Sequence, residues 1–220
     1  MAEILLYAEV TQENYVHTVI FELANKAQEL AKKLDNAQVS ALLICKQGLA
    51  DLYKEAFINS GFDKVYIAED NRFTHYSTEL YSKVAIDVIK EIKPEIILIG
   101  ATSQGRDLAP RVSSSLHTGL TADCTALDVN EKGQLMATRP TFGGKLMATI
   151  LSKTLPQMAT VRPKVFKPSS ENVVKNTQFL NVNVVIDDIK RKVEFVEFVK
   201  RAKCEINDID SAKIIVAGGK

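Results

Sequence analysis

Apolar and polar positions alternate along the first hundred residues with two periods that take turns. Ile4–Val10 is an opening strand, and Thr11 is placed to cap the helix that follows. In that helix Val16, Val19, Ile20, Leu23, Ala27, Leu30, Ala31 and Leu34 recur at three- and four-residue steps. Asp35 and Asn36 interrupt it, and Val39–Cys45 is an almost unbroken apolar strand of the kind that a parallel sheet covers on both faces. Leu49, Leu52, Tyr53, Ala56 and Phe57 mark a second helix, with Ser60 and Gly61 at its end, and Lys64–Ala68 is a third strand. Tyr76, Leu80, Val84, Ala85, Val88, Ile89 and Ile92 give a third helix, which stops before Pro94 because the residue ahead of a proline is biased away from helix. Glu95–Ala101 is the fourth strand. This rhythm predicts an α/β fold: a doubly wound, mainly parallel, Rossmann-like sheet with right-handed crossovers and the first strand near its centre.

Beyond residue 120 the rhythm changes to that of a strand-rich C-terminal extension. Thr121–Val129 reads as one strand and Gly133 as a turn, while Gln134–Arg139 and Leu146–Lys153 flank the loop Pro140–Lys145 as a hairpin would. Gln157–Phe166 adds a strand that ends near Pro163, and Phe179–Ile186 and Val193–Val199 alternate as strands with one wet face. Ile206–Asp210 is polar linker material, followed by the apolar strand Ala212–Ala217 and Gly218-Gly219-Lys220. A strand with a glycine turn and no helix is half a unit, so the chain is expected to continue past Lys220. The division expected is an α/β domain over 1–205, then a hinge and first strand over 206–220.

Composition narrows the chemistry. With 46% hydrophobic residues the chain can bury a sizeable core, and 28 basic against 27 acidic side chains leave a net charge of +1, so no nucleic-acid partner is expected. No apolar run is long enough to insert in a membrane and no signal peptide opens the chain, which points to the cytoplasm. Cys45, Cys124 and Cys204 form no C-x-x-C pair, and His17, His75 and His117 have no second ligand spaced for metal. No metal site is expected.

Gly100-Ala-Thr-Ser-Gln-Gly-Arg106-Asp107 keeps the spacing of a phosphate-binding loop, but Arg106 and Asp107 stand where lysine and a metal-binding hydroxyl belong. A carboxylate near a helix start also competes with a bound anion. Asp107 is therefore read as a helix cap, with Pro110 in the first turn and Arg106 and Arg111 as interface or phosphate contacts. No Ser–His–Asp or Cys–His arrangement is suggested, and no catalytic residue is assigned. Arg139-Pro-Thr-Phe142-Gly143-Gly144-Lys145 and Val161-Arg162-Pro-Lys-Val-Phe166 each set an arginine beside a proline with an aromatic following, a pattern suited to holding a carboxylate or phosphate in a turn.

Three motifs in order, IGATSQGRDLAPRVSSSLHTGLTADCTALDV from Ile99, TRPTFGGKLMATI from Thr138 and QMATVRPKVF from Gln157, resemble the N-terminal domain of electron-transfer flavoprotein alpha subunits, including the nitrogen-fixation branch. The resemblance covers about Ile4–Lys220, and AKIIVAGGK resembles the start of that family's FAD-binding domain. One departure is Lys145, where the family usually has asparagine.

The resemblance implies a heterodimer with a beta subunit, with FAD held mainly by the alpha subunit's C-terminal domain and a second FAD or AMP in the beta subunit. Electrons would pass from flavoprotein dehydrogenases of the acyl-CoA dehydrogenase type to a downstream acceptor, with bifurcation in some members. The protein would then be an electron carrier rather than a substrate-converting enzyme, and this stretch the platform over which the FAD domain swivels. Arg106, Asp107, Arg139, Phe142, Gly143, Gly144, Lys145 and Arg162 are the interface candidates it supplies, and Gly218 and Gly219 the candidate flavin contacts. The alternative is a stand-alone adenine-nucleotide-binding module of the universal-stress type, acting through Gly100–Asp107.

Overall fold

A computed structural model describes residues 2–169, 173, 175–189, 192–197, 199, 212 and 214–219. Strand β1 (Glu3–Ala8), helix α1 (Val19–Lys33), β2 (Gln38–Cys45), α2 (Ala50–Ile58), β3 (Lys64–Glu69), α3 (Thr78–Ile92) and β4 (Ile96–Gly100) alternate as the pattern predicts. Next come α4 (Ser103–Ser115), β5 (Leu120–Cys124), β6 (Ala126–Val129), β7 (Leu135–Thr141), β8 (Leu146–Leu151), β9 (Gln157–Val161) and β10 (Gln178–Asn181).

Seven strands form one sheet in the order β10-β3-β2-β1-β4-β9-β5, every pair parallel, with β1 in the middle. The chain steps outward from β1 to β3 and then returns to β4 on the other side of β1. The strand order therefore reverses between β1 and β4, the place where ligands sit in open α/β sheets. Strands β6, β7 and β8 make a separate antiparallel sheet.

Both faces of the centre of the large sheet are covered, which is why β1, β2 and β4 are almost continuously apolar. Ile4, Leu6 and Ala8 pack on one face against Val19, Leu23 and Ala27 of α1, Phe57 of α2, and Leu127, Leu135 and Ala137 of the small sheet. Leu5 and Tyr7 point the other way, against Leu80, Val84 and Val88 of α3 and Leu108 and Val112 of α4. Chain reversals fall on residues that tolerate left-handed backbone: Asp35 and Asn36 have φ of 49° and 57° after α1.

Several sequence expectations need correction. Helix α1 begins at Val19 with Thr18 before it, not after Thr11. The intervening residues turn back on themselves: Val10 bridges to Val16, the Thr11 N–H bonds the Tyr15 carbonyl at 2.9 Å, and Asn14 adopts φ 57°. In α2 the buried face is Ala50, Tyr53 and Phe57, and Leu52 points to solvent at 68% exposure.

The expected strand Thr121–Val129 is two strands in two sheets. Asp123 takes φ 61°, the β5–β9 register shifts there, and Thr125 N–H crosses to the Thr138 carbonyl at 2.8 Å. Of Phe179–Ile186 only the part within Gln178–Asn181 is strand, and Ile186 turns into the second core at 2% exposure. The described residues of Val193–Val199 and Ala212–Ala217 are not strand. Along that stretch Asp187 pairs with Arg72 at 2.6 Å and Phe195 stacks on His75 with ring centroids 3.6 Å apart. Ile206–Asp210, the 205/206 boundary and Cys204 lie outside the described residues.

Candidate functional site

At the reversal point the loop after β4 is closed by its own side chains. Thr102 caps α4, its hydroxyl oxygen accepting the Gly105 N–H at 2.9 Å while its O–H donates to the Glu9 carboxylate at the end of β1. Burial pushes the Glu9 carboxyl above its ordinary range. Gln104 Nε2 donates to the phenol oxygen of Tyr7 at 2.5 Å, and burial raises that phenol well above its usual value.

The two glycines serve packing. A Cβ on Gly105 would lie 1.9 Å from the Gly100 carbonyl oxygen, and one on Gly100 would lie 2.5 Å from Val19 Cγ1. They let α4 sit directly against β4 and α1 against the strand end. The Thr102 hydroxyl already takes the Gly105 N–H, and the Glu9 carboxylate bonded to that hydroxyl competes with a phosphate for the start of α4. This geometry does not fit a flavin or adenine-nucleotide phosphate.

Asp107 is not the cap. It sits a turn further along α4, where its Oδ2 accepts from Tyr76 Oη at 2.6 Å and Thr78 Oγ1 at 2.5 Å, tying α4 to the start of α3. Pro110 likewise lies inside α4 rather than in its first turn, where it forfeits one helical N–H bond.

The other arginines meet on the far side of β4. Because β5 and β9 are parallel neighbours, Asp123 near the end of β5 lies beside Arg162, the residue after β9. Arg162 Nη2 donates to Asp123 Oδ2 at 2.5 Å and its Nε to Oδ1 at 3.3 Å, while Arg106 Nη2 reaches Oδ1 at 3.1 Å. Arg106 Nε also bonds the Ala101 carbonyl at 3.0 Å, and the Asp123 N–H bonds Thr160 Oγ1 at 2.8 Å. The hydrogen bond from Arg162 holds the Asp123 carboxyl below the usual range, and the charges of Arg106 and Arg139 add to it. Arg139, on β7, has its Nε buried without a hydrogen-bond partner among the described residues.

Arg139 and Arg162 line a cleft of about 500 Å³ with Phe142, Gly143 and Gly144. Arg106 and Arg162 thus share one carboxylate beside an open loop, and the charge of Arg139 acts on it as well. In that loop Phe142, Gly143 and Gly144 all have positive φ, at 48°, 66° and 86°, and the Phe142 ring is 80% exposed. Lys145 closes the turn with its N–H on the Phe142 carbonyl at 3.4 Å and is not among the residues lining the cleft. Strand β8 carries the exposed side chains of Leu146, Met147, Ile150 and Leu151 away from the same loop.

Of the residues singled out in the sequence, Arg139, Phe142, Gly143, Gly144 and Arg162 share one cleft, Arg106 joins it through Asp123, and Asp107 points elsewhere. Asp123 is the organiser that the sequence did not reveal as such. A lone aspartate in a strand gives no sign that two arginines from other strand ends converge on it.

The charge pattern gives the first prediction. Asp123 has a lowered carboxyl pKa in the folded state, so its contribution is complete above the unfolded value of about 3.9 and is lost as pH falls through the lower folded value. An Asp123→Asn variant is expected to be about 1 kcal/mol less stable at pH 7 by urea unfolding, with the gap closing below about pH 4. A gap that persists unchanged to about pH 3 contradicts the assignment.

His17, Cys45 and Cys124 sit in structural roles. His17 Nδ1 accepts the Val19 N–H at 3.2 Å at the start of α1. Burial pushes the thiols of Cys45 and Cys124 up to about 12 and about 11, so neither is a thiolate at neutral pH. Gly218 and Gly219 are exposed, with nothing within 4 Å of a Cβ on either. Among the described residues no group of potential ligands gathers for a metal ion, and no helix is long and apolar enough to cross a membrane.

Comparison with known proteins gives the context of this geometry. The family model described as electron transfer flavoprotein domain matches residues 4–186. The chain is 44% identical over 214 residues to Protein FixB of Clostridium saccharobutylicum, covering 95% of this chain and 61% of that protein. It is 43% identical over 215 residues to the electron transfer flavoprotein subunit alpha of Clostridium acetobutylicum, covering 95% of this chain and 62% of that one. It is also 36% identical over 244 residues to the acryloyl-CoA reductase electron transfer subunit beta of Anaerotignum propionicum, covering 99% of this chain and 65% of that one. The chain thus spans about three fifths of the length of the relatives it matches. With the family model over most of the chain and two such relatives over nearly all of it, the chain belongs to the electron transfer flavoprotein family, on its alpha-subunit and FixB side.

Proposed function

We propose that this chain is the docking platform of an electron-carrying flavoprotein, pairing with a beta subunit through the β7–β8 hairpin and the arginine cleft beside it. One observation carries the reading: an uncharged, exposed apolar strand stands next to a cleft lined by Arg139 and Arg162, the second of which is paired with Asp123. An apolar centre with an arginine rim is the composition of a protein interface. FAD, which supplies the electron chemistry when bound, is assigned to the part of the relatives' length that this chain does not span.

The remaining expectations follow from the family. The donor is a flavoprotein dehydrogenase of the acyl-CoA type, a reading supported by the relative named for acryloyl-CoA reductase. The beta subunit carries AMP or a second FAD, the latter in a bifurcating system, and the complex works in the cytoplasm. The chain moves electrons and converts no substrate of its own. The rival reading, a stand-alone adenine-nucleotide module, is opposed by the Glu9–Thr102 contact at the start of α4.

Coexpression of the full-length alpha subunit with its beta subunit tests the proposal. A yellow one-to-one complex that retains flavin through gel filtration is the expected result. A 220-residue chain that binds ATP or AMP alone, with no partner retained by the full-length protein, overturns it.

A further inference from the structure

Strand β8 is the outermost strand of the small sheet, bonded to β7 on one side. The direction of its backbone groups follows from the register. The Thr138 carbonyl accepts from Thr125 N–H, so Thr138 is turned toward the β6 side. In an antiparallel strand successive residues face opposite sides, so Ala137, Arg139 and Thr141 bond β8. Their partners are Ile150, Ala148 and Leu146, and the residues between them, Met147, Thr149 and Leu151, therefore aim their N–H and C=O groups at the open edge.

This edge lacks the usual guards. Folded proteins protect an outer strand with a charge, a proline, a bulge or short length. Leu146–Leu151 is six residues of LMATIL with no charge, no proline and no glycine, and only Ala148 is partly covered. The other outer strands differ: β10 is four residues with Gln178 and Asn181 at its ends, β5 carries Asp123 and a register shift, and β6 carries Asp128 paired with Lys33 at 2.6 Å.

We propose that β8 is a docking strand, to which the partner subunit adds an extended strand of its own, bonded to Met147, Thr149 and Leu151. This rests on the subunit pairing proposed above and specifies its form. Lys145 and Lys153 stand exposed just outside the two ends of β8, so an incoming strand flanked by Asp or Glu would meet complementary charge. A second copy of this chain would instead set lysine against lysine at the ends of the paired strands. The occupant is accordingly an apolar strand with acidic flanks, from the beta subunit.

Hydrogen–deuterium exchange on the full-length alpha subunit, free and in complex with beta, tests this. The amides of Met147, Thr149 and Leu151 are expected to slow by about 100-fold or more on complex formation, whereas Ala148 and Ile150 are already protected by the hairpin. Thr149→Pro removes one outward N–H, leaves the β7 bonds in place and is expected to weaken the complex about tenfold, with Thr149→Val near the parent. A complex that forms while these three amides exchange as fast as in the free subunit overturns the strand addition and leaves the docking reading standing. Absence of any complex overturns both. Protection of the same amides in the alpha subunit alone, with dimers on sedimentation, overturns the choice of partner.

Discussion

Gly105→Ala is expected to lower stability by more than about 4 kcal/mol, among the largest effects a single substitution has. The new methyl carbon would lie 1.9 Å from the Gly100 carbonyl oxygen and 3.0 Å from Ile99 Cγ2. Both clashing partners belong to β4, a strand bonded to β1 and β9 on either side, and a backbone oxygen has no rotamer to escape into. Relief requires α4 to lift from the sheet, which breaks the contacts of Leu108, Ala109 and Val112, all buried. Against a total stability of 5–15 kcal/mol for typical domains, about 4 kcal/mol lowers the melting temperature of a chain of this size by roughly 8–16 °C. Gly144→Ala is the comparison: nothing lies within 4 Å of its Cβ position, and the cost is the positive φ of 86° alone, about 1–2 kcal/mol. Thermal melts followed by circular dichroism separate the two. A Gly105→Ala protein that melts within about 2 °C of the parent would show that the helix is not seated on the strand as described.

The second large effect concerns assembly. Reversing Arg139 and Arg162 together to glutamate is expected to weaken the alpha–beta complex by at least about 100-fold, since like charges brought together at an interface cost several kcal/mol. The two side chains line one cleft, and the Arg162 side chain is 46% exposed there, so a carboxylate from outside can reach a guanidinium in it. Arg162→Glu also places a second carboxylate beside Asp123, which Arg106 alone then balances. Sedimentation or calorimetry on the full-length proteins reads the change, with circular dichroism to confirm folding. A dissociation constant unchanged by the double reversal would remove the arginine cleft from the interface.

The fold was readable because its strongest signals are local. Runs such as Val39–Cys45 can be satisfied only by a strand covered on both faces, and the helices between them repeat at helical period. What failed was local competition and long-range placement. Thr11 is a good cap by type, but the Val10–Val16 bridge satisfies the backbone of that stretch before a helix can begin. Thr121–Val129 looks continuous because its apolar content is continuous, and nothing in residue type announces that Asp123 adopts positive φ and hands the chain to a second sheet.

The site divides in the same way. Arg139 with the Phe142–Gly144 loop, and Arg162, were legible as turns with fixed arginines. Their meeting around Asp123 depends on β9 lying between β4 and β5, a pairing that no spacing encodes. Asp107 was misplaced because the acceptor that caps α4 is the hydroxyl of Thr102, five residues earlier in the chain.

The position of β9 also orders events in time. Strands β3, β2, β1 and β4 can pair with one another as soon as residue 100 exists, but among the described residues β5 is bonded to the large sheet through β9 alone, which comes after the whole β6–β8 excursion. During synthesis α4, β5 and the small sheet emerge before the strand that bonds β5 to the body of the protein. Closing such non-local contacts is slow relative to the local β-α-β units. Until β9 is inserted, the nascent chain exposes the apolar flank of β4 together with the open hairpin, so this interval is when a chaperone has the most to hold.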